Sequence, residues 1–351
     1  MKKAFILLFI LISSCTAKQH VSVEEINILN KADNISLAGT LTLPAGKGPF
    51  PGVVLISGSG PVDRDETFEG HKFFKVLASY LAESGIASYR YDKRGVGESN
   101  GNFETVILEN FASDAHEALK FLKSRPEISK AGFIGHSEGG LVGPIASSRG
   151  SDCDFMVLMA PPALSIDQTF IKQMEAHLSV KEVPIDEIKK QAEIEEEIWQ
   201  IIKDGDDLSE IKISVEAVIR KNLNDFYYLK GTNEEDLESK IQGQVDWFVN
   251  SINFDYFKKY IDHEFFSDIK CPVFAITGDK DLFVVYPEEF DLIKSQLSSN
   301  KDYINSFKVY PNVNHLFQTC ETGLYEEVSQ ITETMNGQVM ADIAGWINEL
   351  K

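Results

Sequence analysis

Two glycines flank a serine at Gly135-His136-Ser137-Glu138-Gly139, where the apolar run AGFIG gives way to the helix-forming LVGPIAS. A serine hydroxyl is a weak nucleophile until a base stands beside it and donors await the oxyanion it creates. A sharp strand-to-helix turn exposes the hydroxyl and sets the next N–H at a helix N-terminus, where backbone donors are unpaired. Such a turn is crowded, so its neighbours must be small. Ordinary residue frequencies give about 0.1 such pentapeptides by chance in a chain of this length. A second one does occur, Gly97-Glu98-Ser99-Asn100-Gly101, inside the turn-forming run DKRGVGESNGN. It has no strand directly before it and no helix directly after it, so Ser99 reads as a turn residue and Ser137 as the nucleophile.

A base and an orienting acid must then follow strand ends, because ligands bind at the carboxyl ends of strands in sheets of this type. The run PVFAIT (272–277) is followed by Gly278-Asp279-Lys280-Asp281, and FKVYP (307–311) by Asn312-Val313-Asn314-His315. Of seven histidines, His315 alone follows a late strand end. His136 abuts the nucleophile and is expected to point away from it. His71, at a helix start near the loop after GVVLIS, is the one rival near the pocket.

The elements that must position these groups alternate. Strands are expected at VEEINILN and ISLAGTLTLP, joined as an antiparallel hairpin at 31–34, and at GVVLIS, IASYRY, AGFIG, DFMVLMA, PVFAIT and FKVYP. Helices are expected at about 71–84, 111–123, after Ser137, near 287–297 and at 339–350. Alternation of this kind predicts an α/β fold, a mostly parallel sheet with helices on both faces, and the continuous apolar strands fit burial on both sides. Residues 163–262 break the rhythm. Apolar residues there recur at helical spacing, as at Ile188, Ala192, Ile198 and Ile202, which predicts a helical insertion capping the strand ends. Its aromatic residues are expected to form mostly cap core, a minority lining a pocket.

With 351 residues and a net charge of -20, the chain suits one large domain or two ordinary ones and makes nucleic acid an unexpected partner. The opening MKKAFILLFILISSC has a basic start and a short apolar run ending at Cys15. It resembles a bacterial lipoprotein signal, which implies export, cleavage before Cys15, lipid attachment there, and membrane association through that lipid only. The expected organisation is a signal at 1–14, a tether at 15–22, a core at 23–162 and 263–351, and a cap at 163–262. Cys153 and Cys271 each precede a strand, and those strands should be neighbours. A disulfide between them is offered, with buried free thiols as the other outcome.

The segments GSGPVDRDE (58–66), YRYDKRGVGES (89–99), GHSEGG (135–140) and NHLFQ (314–318) together resemble serine esterases of the α/β-hydrolase superfamily. The order Ser…Asp…His is also that superfamily's. The resemblance implies Ser137 as nucleophile, His315 as base and Asp281 as orienting acid. Asp279 remains the rival, although G-x-x-D spacing from Gly278 favours Asp281. It also implies an oxyanion hole made by the Glu138 N–H and a second N–H from Ser59 or Gly60. Asp63, Arg64 and Asp65 fit a salt-bridged wall better than a substrate contact, and Asp92 and Arg94 are expected to brace their own turn. No cofactor or metal is expected. The expected substrate is a small-molecule ester, with aminopeptidase-like or thioesterase action as the alternatives on the same fold.

Overall fold

A computed structural model of the chain describes residues 20–150, 153–250, 254–261, 263–299 and 301–350. The signal and the lipidation site at Cys15 lie outside the described residues. The chain opens with β1 (Ser22–Asn30), β2 (Ile35–Leu43) and β3 (Phe50–Ile56). A two-strand hairpin, β4 (Thr67–Phe68) and β5 (His71–Lys72), leads into α1 (Phe73–Glu83) and β6 (Ala87–Tyr91). Then come α2 (Leu108–Ser124), β7 (Ile128–His136), α3 (Gly139–Ser148) and β8 (Met156–Met159). Five helices follow: α4 (Ile166–Val180), α5 (Ile185–Asp204), α6 (Leu208–Lys221), α7 (Glu234–Asn250) and α8 (Phe254–Tyr260). The chain closes with β9 (Val273–Gly278), α9 (Glu288–Ser298), β10 (Ser306–Tyr310), α10 (Tyr325–Val328) and α11 (Gly337–Glu349).

Eight strands form one sheet in the order β1-β2-β6-β3-β7-β8-β9-β10. The β1–β2 and β2–β6 pairs are antiparallel, and every later pair is parallel. Alternation along a strand sends neighbouring side chains to opposite faces. In β3, Val54 and Ile56 pack with α2 and α3, while Val53 and Leu55 pack with α1 and α11. Both faces are therefore covered, which is why β3 is apolar throughout. At a generic ~25 cal/mol per Å², a fully buried valine or leucine contributes roughly 1.5–3 kcal/mol. The central strands thus hold the sheet rigid beneath the loops that carry chemistry.

The five helices between β8 and β9 have a core of their own, with Ile188, Ala192, Ile198 and Ile202 of α5 all buried. Phe226, Phe248 and Phe257 are buried there too. Glu289 of α9 ties this layer to the sheet: its carboxylate accepts from Ala163 N at 2.5 Å, Leu164 N at 2.6 Å and Thr169 Oγ1 at 2.8 Å. The strands preceded by Cys153 and Cys271 do pair, as β8 and β9. Their disulfide is not formed, because both cysteines are buried free thiols. A hydrogen bond with Cys153, and then burial, pushes the Cys271 thiol up.

Candidate active site

Ser137 is the first residue past β7, with φ 51°, in the left-handed region that β-carbon crowding makes costly for any residue but glycine. The flanking glycines have a steric cause. A β-carbon on Gly135 would lie 2.3 Å from the Gly139 carbonyl oxygen, and one on Gly139 would lie 2.0 Å from that of Ile56. Ser137 N donates to the Met159 carbonyl at 2.9 Å, so β8 pins the strained turn. Glu138 is the N-cap residue of α3.

The loops after β9 and β10 bring the acid to the histidine. His315 Nδ1 lies 2.7 Å from Asp281 Oδ2. The other Asp281 oxygen accepts from Phe283 N and Val284 N, both at 2.8 Å, and the side chain is wholly buried. A carboxylate so held fixes the imidazole tautomer with Nδ1 protonated, leaving Nε2 as the base. The rival Asp279 instead accepts from Asn312 N at 2.6 Å and braces the β10 loop. His71 is likewise occupied, between Thr334 Oγ1 at 3.0 Å and the Val328 carbonyl at 3.3 Å. Ser99 donates to the Asp92 carbonyl and accepts from Ala38 N, which makes it a buried turn brace.

Ser137, Glu138, His315, Ser59 and Gly60 all border one cavity of about 950 Å³. Aromatic and aliphatic side chains make up most of its wall, including Phe103, Phe111, Leu141, Phe170, Trp247 and Phe283. Phe170, Trp247, Tyr256 and Tyr260 are the cap aromatic residues that reach it. The loop after β3 lies against the nucleophile, since a β-carbon on Gly58 would stand 3.3 Å from Ser137 Cβ.

Three residues given no role by the sequence surround this centre. Glu66 Oε1 accepts from Gly58 N at 2.8 Å and meets His136 Nδ1 at 2.9 Å. His136 Nε2 lies 3.0 Å from the His315 carbonyl, a group that can only accept. One buried bridge therefore joins the loop after β3 to the loop after β10. Burial lowers the His136 pKa, but the Glu66 carboxylate, its hydrogen bond and the His315 carbonyl outweigh that, so the net shift is upward. Lys93, just past β6, bonds the Gly58 carbonyl and Glu138. The signal for Glu66 and Lys93 was their place inside the matched segments. For His136 it was its position between strand and nucleophile.

Arg64 and Asp65 form the expected salt-bridged wall, whereas Asp63 accepts from Asp65 N, Thr67 N and Thr67 Oγ1 and braces its own turn instead. Arg64 bonds Glu25, Asp92 and Glu98, while Asp65 bonds Arg90 and Lys72. Asp92 braces its turn through Glu98 N at 3.0 Å. Arg94 departs from expectation. It reaches the buried Asp114 on α2 and the exposed Asp33 in the β1–β2 turn, while Asp92 is already taken by Arg64.

Residues 68–212 match the serine aminopeptidase S33 family model. A stretch of 139 residues is 40% identical to the esterase EstD of Thermotoga maritima, covering 40% of this chain and 34% of that protein. A stretch of 108 residues is 33% identical to the acyl-coenzyme A thioesterase 1 of Mus musculus, covering 30% and 22%. The matched parts thus span about a third or less of these curated relatives. An esterase structure from Pyrococcus furiosus superposes with TM-score 0.53 at 16% identity, over 94% of this chain and 91% of that one. A proline iminopeptidase structure from Mycobacterium smegmatis gives 0.52 at 13%, over 93% and 98%. Sheet order, strained serine turn and structural likeness agree that this chain has an α/β-hydrolase fold.

Proposed function

We propose that this chain is a serine esterase that cleaves carboxylic esters of small or medium acyl chains, held at a membrane by lipid on Cys15. The observation that carries the catalytic reading is that His315, paired with the buried Asp281, borders the same mostly apolar cavity as Ser137. His315 Nε2 takes the Ser137 proton as Oγ attacks the ester carbonyl, and the carbonyl electron pair moves onto oxygen. The Glu138 N–H and one from the β3 loop receive that oxyanion. The oxyanion collapses, the ester C–O bond breaks as the imidazolium protonates the leaving alcohol, and an acyl-enzyme on Ser137 remains. Water, deprotonated by the same histidine, attacks its carbonyl, and the Oγ–carbon bond breaks as the imidazolium returns a proton to Ser137 and the acid leaves.

The S33 match invites an aminopeptidase reading, which needs an unpaired carboxylate for the substrate ammonium. The two carboxylates deep in the cavity wall are engaged, Glu66 with His136 and Glu138 with Lys93. Glu104, on the wall as well, is solvent-exposed. An apolar wall with paired acids favours a neutral ester. A thioester substrate is the third reading, and the export-like N-terminus weighs against coenzyme A, a cytoplasmic metabolite.

The test is hydrolysis of p-nitrophenyl acetate. Ser137→Ala should lower kcat by at least about 10³-fold, while Ser99→Ala keeps it. Aminoacyl anilides turned over faster than esters would move the reading to a peptidase, and full activity in Ser137→Ala would end it.

A further inference from the structure

Lys93 belongs to no part of the triad, yet its side chain is only 5% exposed beside it. Its Nζ donates to the Gly58 carbonyl at 2.5 Å and to Glu138 Oε1 at 3.0 Å. It also stands 4.7 Å from the centre of the Phe111 ring. A carbonyl, a carboxylate and a ring face all favour an ammonium there. Lysine is seldom buried unless paired, and a buried ion pair is often no better for stability than apolar residues of the same volume. Fold stability alone is therefore a weak reason for this lysine.

Both of its partners belong to the oxyanion hole. The Gly58 carbonyl is one end of the Gly58–Ser59 peptide, and the Ser59 N–H is the other. That peptide is not among the cis bonds, so the two groups point in opposite directions. Holding the carbonyl on Lys93 turns the Ser59 N–H away from it, and charge on the carbonyl side strengthens the N–H as a donor. Gly58's own N–H is already given to Glu66. The second oxyanion donor is the backbone of Glu138, whose side chain sits on the same ammonium. Its other carboxylate oxygen meets the Tyr256 hydroxyl of α8 at 3.4 Å, which brings the cap into the same network.

We infer that Lys93 is a positioning residue of the oxyanion hole: its buried ammonium fixes and polarises the Gly58–Ser59 peptide so that the Ser59 N–H, paired with that of Glu138, receives the developing negative charge. The inference rests on the esterase reading and selects Ser59 over Gly60.

Lys93→Met keeps length and removes charge. Its kcat for p-nitrophenyl acetate should fall about 10–100-fold, with KM moving less than about threefold. A trifluoromethyl ketone gives a second readout. Ser137 Oγ bonds its carbonyl carbon, the π pair becomes an oxyanion and His315 takes the proton, so its affinity should fall by a similar factor. A merely structural lysine would lower the melting temperature without this selective loss. A folded Lys93→Met enzyme with wild-type kcat and ketone affinity would overturn the inference. Should that variant fail to fold, the pair K93M/E138Q removes both charges together. It should lose clearly more kcat and ketone affinity than Glu138→Gln alone, which keeps Lys93 on Gly58, and equal losses would overturn the inference. Absence of ester hydrolysis in the wild type would instead strike the esterase reading, and Lys93 with it.

Discussion

At the scale of single residues, the choice between two aspartates two positions apart decides which carboxylate would serve the proposed base. Asp281 is buried against His315, and Asp279 holds the backbone of Asn312. Asp281→Asn should therefore lower kcat by about 10³–10⁴-fold through the wrong imidazole tautomer, while Asp279→Asn stays within about tenfold of wild type. Steady-state ester hydrolysis with both variants checks this, and the reverse ranking would exchange their roles. The placement of Ser137, His315 and Asp281 just past strand ends was legible in the sequence, because each follows an apolar run of strand length. Lys93 was not, because its burial depends on Gly58, Glu138 and Phe111, which come from three separate elements. His136 was noticed for its place and given no role, since its partners lie 70 and 179 residues away.

Among the elements, the core strands and their helices follow the sequence pattern closely, and the insertion is helical as its spacing predicts. The β4–β5 hairpin and α10 escaped because two-residue strands and a single helical turn have no period to detect. Within α5, Glu195 shares the helix face of the cap's apolar residues. One of its oxygens accepts from Gln191 Nε2 at 2.9 Å, and the other has no partner among the described residues. Burial pushes this carboxyl up to about 7 from an ordinary 4.5. The folded cap thus holds the proton more tightly than the unfolded chain. The stabilisation this gives is full below pH 4.5 and is lost as pH rises through about 7. Glu195→Gln removes that dependence. Thermal unfolding between pH 5 and 9 should show wild type losing on the order of 2 kcal/mol relative to the variant. Parallel curves for the two proteins would contradict the buried charge.

Over the whole molecule, a net charge of -20 keeps the surface acidic, while the cavity under the cap is mostly apolar. Acidic exteriors aid solubility and repel polyanions, and the mostly apolar cavity suits the small neutral ester proposed above. The proposed lipid anchor is tested in a bacterial host: Cys15→Ala should move the protein from the membrane fraction to the soluble one and abolish palmitate labelling, and unchanged labelling would remove the anchor. Cavity shape was beyond the sequence because it depends on how five cap helices pack over the strand ends, which spacing along one chain does not encode. The most direct test of the whole scheme is intact-mass analysis after a fluorophosphonate is added. One adduct per chain, located to Ser137 and absent from Ser137→Ala and strongly slowed in His315→Ala, is the predicted result. No adduct on the folded wild type, or one that persists in Ser137→Ala, would contradict it.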